Sequence, residues 1–142
     1  LCGLDGNSKM GKSLGNAIYL SDTPDEVWNK IRNAKTDTNR ISVKIPGNPD
    51  VCSVYQYHKA FNPEGVEEVC SACKNAAMGC VACKKLLNEK MNAILDPIRE
   101  KRKFYEEHKD TVRDIIVQGT KKANEIGNEN IAKIKEKMHV II

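Results

Sequence analysis

A chain of 142 residues has room for one domain with its own core, or for one domain joined to a piece of another. Its 23 basic and 19 acidic residues leave a formal charge of +4, which permits an RNA partner without arguing for one and is no polybasic tail. Aromatic residues make up 5% of the chain, too few for a sheet that stacks bases on exposed rings, so any RNA contact is expected from helices, through phosphates and base edges.

No signal-peptide pattern is present and no apolar run approaches a membrane span, so a cytoplasmic protein with reduced thiols and no membrane partner is expected. The chain opens on Leu1 and not on Met, which leaves room for missing elements upstream.

Residues 1–20 read as a loop. Glycines keep Gly3-Leu4-Asp5-Gly6 and Lys9-Met10-Gly11-Lys12-Ser13 free to approach a ligand, and two lysines three apart are suited to an anionic phosphate tail. The spacing is not that of a P-loop, and an ordinary solvated loop competes with the phosphate reading. A helix start comes next at Thr23-Pro24-Asp25-Glu26, with Thr as N-cap, Pro in the first turn and Glu closing a capping box. Val27, Ile31 and Ala34 then form an apolar stripe, with Trp28 beside them in the expected core. The polar run 35–40 connects this helix to the next segment, where the prolines and glycine of Pro46-Gly47-Asn48-Pro49 predict an irregular crossing. Asp50 is placed as the cap of a short helix carrying Val54, Tyr57, His58 and Phe61, with His58 a hydrogen-bonded core residue, and Asn62–Gly65 as a turn.

Four of the six cysteines lie in two Cys-x-x-Cys pairs, Cys70/Cys73 and Cys80/Cys83, with Cys52 upstream. Thiolates so spaced bind zinc or an iron–sulfur group, because a short loop turns both sulfurs of a pair onto one centre, and Gly79 is expected to make the turn. Spacing alone favours Cys70, Cys73, Cys80 and Cys83. A set of buried free thiols is the plain alternative. From Val81 the pattern is helical to the end. One stripe runs through Leu87, Met91, Ile94, Leu95 and Ile98, with a kink or a new start at Asp96-Pro97. A second runs through Val112, Ile115, Ile116, Ala123, Ile126, Ile131 and Ile134, with Asp110 as cap and a break or close crossing at Gly119. Lys84, Lys85, Arg99, Lys101, Arg102 and Lys103 line the polar side.

Several of these stretches resemble one family. Gly3–Gly6 with Lys9–Asn16 resembles the KMSKS signature loop of class I aminoacyl-tRNA synthetases in its tryptophanyl form, with Gly11 where the motif has serine, and Ile18–Asp22 continues the likeness. The resemblance implies ATP binding by Lys9, Met10, Gly11, Lys12 and Ser13, with Lys12 catalytic: its charge stabilises pyrophosphate as the aminoacyl adenylate forms. Pro49–Cys52 and Met78–Lys84 are similar to the cysteine set of bacterial tryptophanyl enzymes that carry a [4Fe-4S] cluster. The ligands implied are Cys52, Cys73, Cys80 and Cys83, with Cys70 as the alternative ligand and zinc as the alternative metal. Gln118–Ile126 is similar to the family's last helices.

The fold implied is mainly α. Residues 1–38 correspond to the loop and helix that end a Rossmann-type catalytic domain, and residues 39–142 to a helical bundle that binds the tRNA anticodon, with Lys84 and Lys85 as tRNA contacts. The function implied is that of the C-terminal portion of such a ligase, whose intact form activates tryptophan with ATP, charges tRNA and is a homodimer through the missing body. No His-x-Gly-His is present, so the portion alone is expected to be inactive. A tyrosyl enzyme and a non-enzymatic zinc or iron–sulfur helical module are the alternatives.

Overall fold

The computed structural model describes residues 1–140, and among them five α-helices are joined by 3-10 turns and irregular loops, with no strand. The fold is mainly α, as expected. Helix α1 spans Pro24–Asn33. Its capping box forms as the sequence dictates, Thr23 N–H donating to Glu26 Oε2 at 2.7 Å and Glu26 N–H to Thr23 Oγ1 at 3.3 Å. Val27 and Ile31 are fully buried, but Trp28 is only half-buried. It sits one residue, about 100°, off the stripe and so on the flank of the helix.

Helix α2 spans Ser53–Phe61 and begins later than Asp50 would allow. Pro49 nucleates a 3-10 turn, Pro49–Val51, that takes up Asp50 and is capped by the Asn48 side chain, which leaves Cys52 as the N-cap of α2. Helix α3, Val66–Lys74, carries Cys70 and Cys73, where the sequence pattern predicts a loop. The turn that ends α3 uses Ala76 at φ 55° as its left-handed residue, and not Gly79. The Ala77 amide donates back to Ala72 O at 2.8 Å, so a 6→1 closure with its own hydrogen bond offsets the strain of alanine there.

Helix α4, Cys80–Glu107, passes through Pro97 without a break. Proline removes only the hydrogen bond to Ala93 O, and both residues are on the exposed side, where water can satisfy the carbonyl. Asp96 does not cap a new helix; it pairs with Arg99 at 2.6 Å. Leu87, Met91 and Leu95 are buried, whereas Ile94 and Ile98 remain exposed. The chain breaks at His108, and α5 runs over Lys109–Lys137. Asp110 therefore lies inside its first turn, and His108 is the N-cap. Gly119 causes neither break nor crossing: the helix is continuous, and a Cβ built there would have no neighbour within 4 Å.

The molecule divides into two compact units, Leu1–Arg99 and the residues from Glu100 onward. In the first, Leu4, Val27 and Ile31 share one core with Tyr57, Val69, Leu87 and Leu95, so residues 1–38 pack as one body with the helices after them. In the second, none of the residues of α5 is buried and its apolar stripe faces outward. Among the described residues no helix is long and apolar enough to cross a membrane.

Candidate functional sites: a four-thiol cavity and a lysine loop

The cysteine site is assembled from three chain segments. Cys52 closes the 3-10 turn before α2, Cys73 lies near the end of α3, and α4 supplies both Cys80, which opens it, and Cys83 one turn later. All four line one cavity whose other walls include Pro49, Val54, Val69 and Met78. Cys70 does not line it. This residue packs against the core beside Tyr55, whose phenol is pushed up to about 12 by the neighbouring Cys70 thiol first and by burial second. Among the described residues no three His, Cys, Asp or Glu side chains are set to hold a single metal ion.

Burial dominates the chemistry of the thiols. It pushes Cys52 and Cys73 up and takes Cys83 to about 12, with the neighbouring sulfurs adding to the rise at Cys83. Alone, these groups stay protonated at neutral pH. Opposing this is Arg40, a residue that in the sequence is only one more polar position of the 35–40 connection. Its Nη1 lies 3.8 Å from Cys73 Sγ and 3.9 Å from Cys80 Sγ, and its Nη2 donates to the carbonyls of Met78 at 2.8 Å and Val43 at 3.1 Å. Its Nε is buried and has no hydrogen-bond partner among the described residues.

His58 is fully buried, as expected of a core histidine, and it also touches the site. Asn62 Nδ2 can only donate, so at 3.2 Å it finds His58 Nδ1 as acceptor and leaves the proton on Nε2, which faces Cys83 O at 3.2 Å and Cys83 Sγ at 3.4 Å. Burial holds this imidazole below its ordinary pKa and neutral. Gly47 closes another side: its N–H donates to Cys73 O at 3.0 Å, and a Cβ there would fall 2.7 Å from Cys73 Sγ.

The lysine loop is organised by Asn16, which is 4% exposed. Its Nδ2 donates to Asp5 Oδ1 and to Lys9 O, both at 3.0 Å, and its Oδ1 accepts from Gly11 N–H at 3.0 Å. The loop is thereby pinned at both ends while Lys9, Met10, Lys12 and Ser13 stay exposed. Lys12–Leu14 forms a 3-10 turn that Gly15, at φ 63°, closes in the left-handed region. Tyr57 anchors the loop from α2, its hydroxyl donating to Cys2 O at 3.1 Å. The sequence offered one sign of the role of Asn16: an asparagine following a glycine-rich run.

The two lysines expected at the polar surface differ. Lys85 is exposed. Lys84 turns inward and donates to Arg32 O at 2.7 Å and Ala34 O at 2.8 Å, the carbonyls that end α1. A cation there meets the negative end of the helix dipole.

A helical body that carries an exposed two-lysine loop at one part and a cysteine cavity at another is matched by a known family model. Residues 1–96 fit the model of the class I tRNA synthetases for tryptophan and tyrosine (W and Y), and the chain belongs to that family. Within it, the chain is 39% identical to the Tryptophan–tRNA ligase of Deinococcus radiodurans over 137 residues, 96% of this chain and 42% of that protein. It is 42% identical to the Tryptophan–tRNA ligase of Borreliella burgdorferi, covering 96% of this chain and 40% of that protein. Among solved structures, tryptophanyl-tRNA synthetase from Campylobacter jejuni, complexed with ADP and tryptophan, superposes with a TM-score of 0.84 at 28% identity, over 98% of this chain and 43% of that one. The chain thus spans about two fifths of the length of these relatives.

Proposed function

We propose that the chain is the C-terminal portion of a tryptophan–tRNA ligase. The whole enzyme would join tryptophan to ATP with release of pyrophosphate and pass the aminoacyl group to tRNA in the cytoplasm, as a homodimer through the part this chain lacks. The observation that carries the reading is the loop held by Asn16, which presents Lys9 and Lys12 together on a braced but exposed turn within a chain so similar to named ligases. Lys12 acts on charge that grows as the leaving pyrophosphate separates, and Lys9, Met10, Gly11 and Ser13 form the surface over which ATP phosphates lie. Residues 1–38 serve this step. Residues 39–142 bind the tRNA anticodon region, with exposed Lys85 as a backbone contact and Lys84 supporting it from the end of α1.

Cys52, Cys73, Cys80 and Cys83 would hold a [4Fe-4S] cluster that shapes the anticodon-binding part. What supports this is the fit of the site: four sulfurs on one cavity wall, a cationic Arg40 against two of them, and a glycine where any side chain would strike Cys73. Zinc is the competing occupant, and Cys70 the alternative ligand. Held in place, the cluster supplies cross-linking of three chain segments and no step of the aminoacylation.

In the whole enzyme, Lys12→Ala should lower tryptophan-dependent pyrophosphate exchange by more than it weakens ATP binding, while residues 1–142 alone should catalyse none. Equal losses in both quantities would overturn the role of Lys12. Anaerobic purification followed by iron, sulfide and zinc analysis, with serine at each of the five cysteines in turn, decides metal and ligands.

A further inference from the structure

We infer that Arg40 is the positioning residue of the cysteine site, and that its charge fixes the adjoining surface loop, residues 41–45, in response to what the sulfurs hold. The inference rests on the proposal that Cys52, Cys73, Cys80 and Cys83 bind a metal group.

One guanidinium edge faces Cys73 Sγ and Cys80 Sγ, and the other is spent on Val43 O and Met78 O. The same side chain therefore belongs to two places, the thiol cavity and an exposed cleft formed with Ile41, Val43, Gly79 and Val81. Ile41 is 86% and Val43 57% exposed, so their own burial does little to hold the loop. Arg40 ties it down, helped by the contact of Gly79 with Val43, where a Cβ would lie 3.2 Å from Val43 Cγ2. Without a metal group the guanidinium has only long contacts to two sulfurs, at 3.8 and 3.9 Å, and its buried Nε has no partner among the described residues. With thiolates bound to a metal group the sulfurs carry net negative charge, and N–H···S bonds from a cation become charge-assisted. Loading the site thus strengthens the bond that holds the loop.

The test uses the anaerobically purified chain in wild-type form and with Arg40→Gln and Arg40→Lys. Iron and sulfide per chain, the rate of iron loss to a chelator, the midpoint potential, and amide exchange of residues 41–45 are measured. In Arg40→Gln the metal group should be lost faster by about tenfold or more. Its potential should move to more negative values, since a positive charge that favours the reduced state is gone, and the loop amides should exchange faster. Arg40→Lys should restore the potential but not the loop protection, because an ammonium cannot span both sulfurs and two carbonyls. If Arg40→Gln does not fold, Arg40→Lys alone decides, and unchanged loop exchange there overturns the inference. A wild-type chain that holds zinc is judged by zinc loss and loop exchange. A wild-type chain that binds neither metal removes the underlying proposal and the inference with it. A loaded wild type matched by Arg40→Gln in loss rate, potential and exchange overturns the inference and leaves the ligand set standing.

Discussion

Lys84 shows how a residue can belong to a surface run in sequence and to a partly buried contact in space. Its ammonium sits on Arg32 O and Ala34 O, groups 50 or more positions away, so no local pattern announces it. Lys84→Met keeps the stem and removes the charge. It should cost about 1–2 kcal/mol of stability, the range for a cation in a partly buried site at a helix C-terminus, measurable by denaturant unfolding without tRNA present. Charge removal at exposed Lys85 should leave stability almost unchanged, and any effect there should show instead in the salt dependence of tRNA binding. Distance in sequence also hid Arg40, whose partners Cys73 and Met78 lie 33 and 38 positions away. It also left the choice between Cys52 and Cys70 open to spacing arguments, because the cavity that separates them exists only after α2 and α3 have packed.

At the scale of the element, legibility followed locality. Helix α1 could be read from four consecutive residues because its capping box closes within its own first turn. The start of α2 could not, since Pro49 can open either a 3-10 turn or a helix and packing decides. The turn at Ala76 was unreadable for a different reason: alanine seldom takes positive φ, and only the closure onto Ala72 makes it tolerable.

The capping box also carries a pH dependence. The Thr23 N–H, first, and the Thr23 hydroxyl hold the Glu26 carboxyl below its ordinary 4.5. A depressed carboxylate contributes stability that is fully present above its unfolded value and is lost as pH falls through the folded one. Acid should therefore weaken α1 as pH drops below about 4.5. Glu26→Gln, which can still accept the Thr23 N–H, should flatten that part of the stability–pH curve, and Thr23→Ala should cost about 1 kcal/mol at neutral pH. An unchanged acid slope in Glu26→Gln would show that other carboxyls dominate.

Over the whole molecule, protection is unevenly distributed. The first unit buries Val27, Ile31, Val54, Tyr57, Val69 and Leu87 almost completely, while α5 buries none of its residues. Helices draw most of their stability from packing of an apolar face, so native-state hydrogen exchange of the chain should find the slowest amides in α1, α2 and the first half of α4 and the fastest helical ones in α5. Equal protection of α5 would mean that its apolar stripe, with Ile115, Ile126 and Ile134 each more than half exposed, is covered in solution.

The close approach of Gly47 to Cys73 has a genetic consequence. A methyl group at position 47 would meet Cys73 Sγ at 2.7 Å and Arg40 Cδ at 3.0 Å, so side chains and not any demand of the backbone exclude it, for Gly47 is absent from the positive-φ residues. The harm done by Gly47→Ala should therefore be conditional. In the native background it should displace Cys73 and impair loading of the proposed site, whereas in a Cys73→Ala background, where only the flexible Arg40 chain still crowds the methyl group, the same change should do clearly less harm. Sign and size of this epistasis can be read from a four-member cycle by thermal denaturation. A lineage that discarded its cysteines would, on this reasoning, be less constrained at position 47 as well.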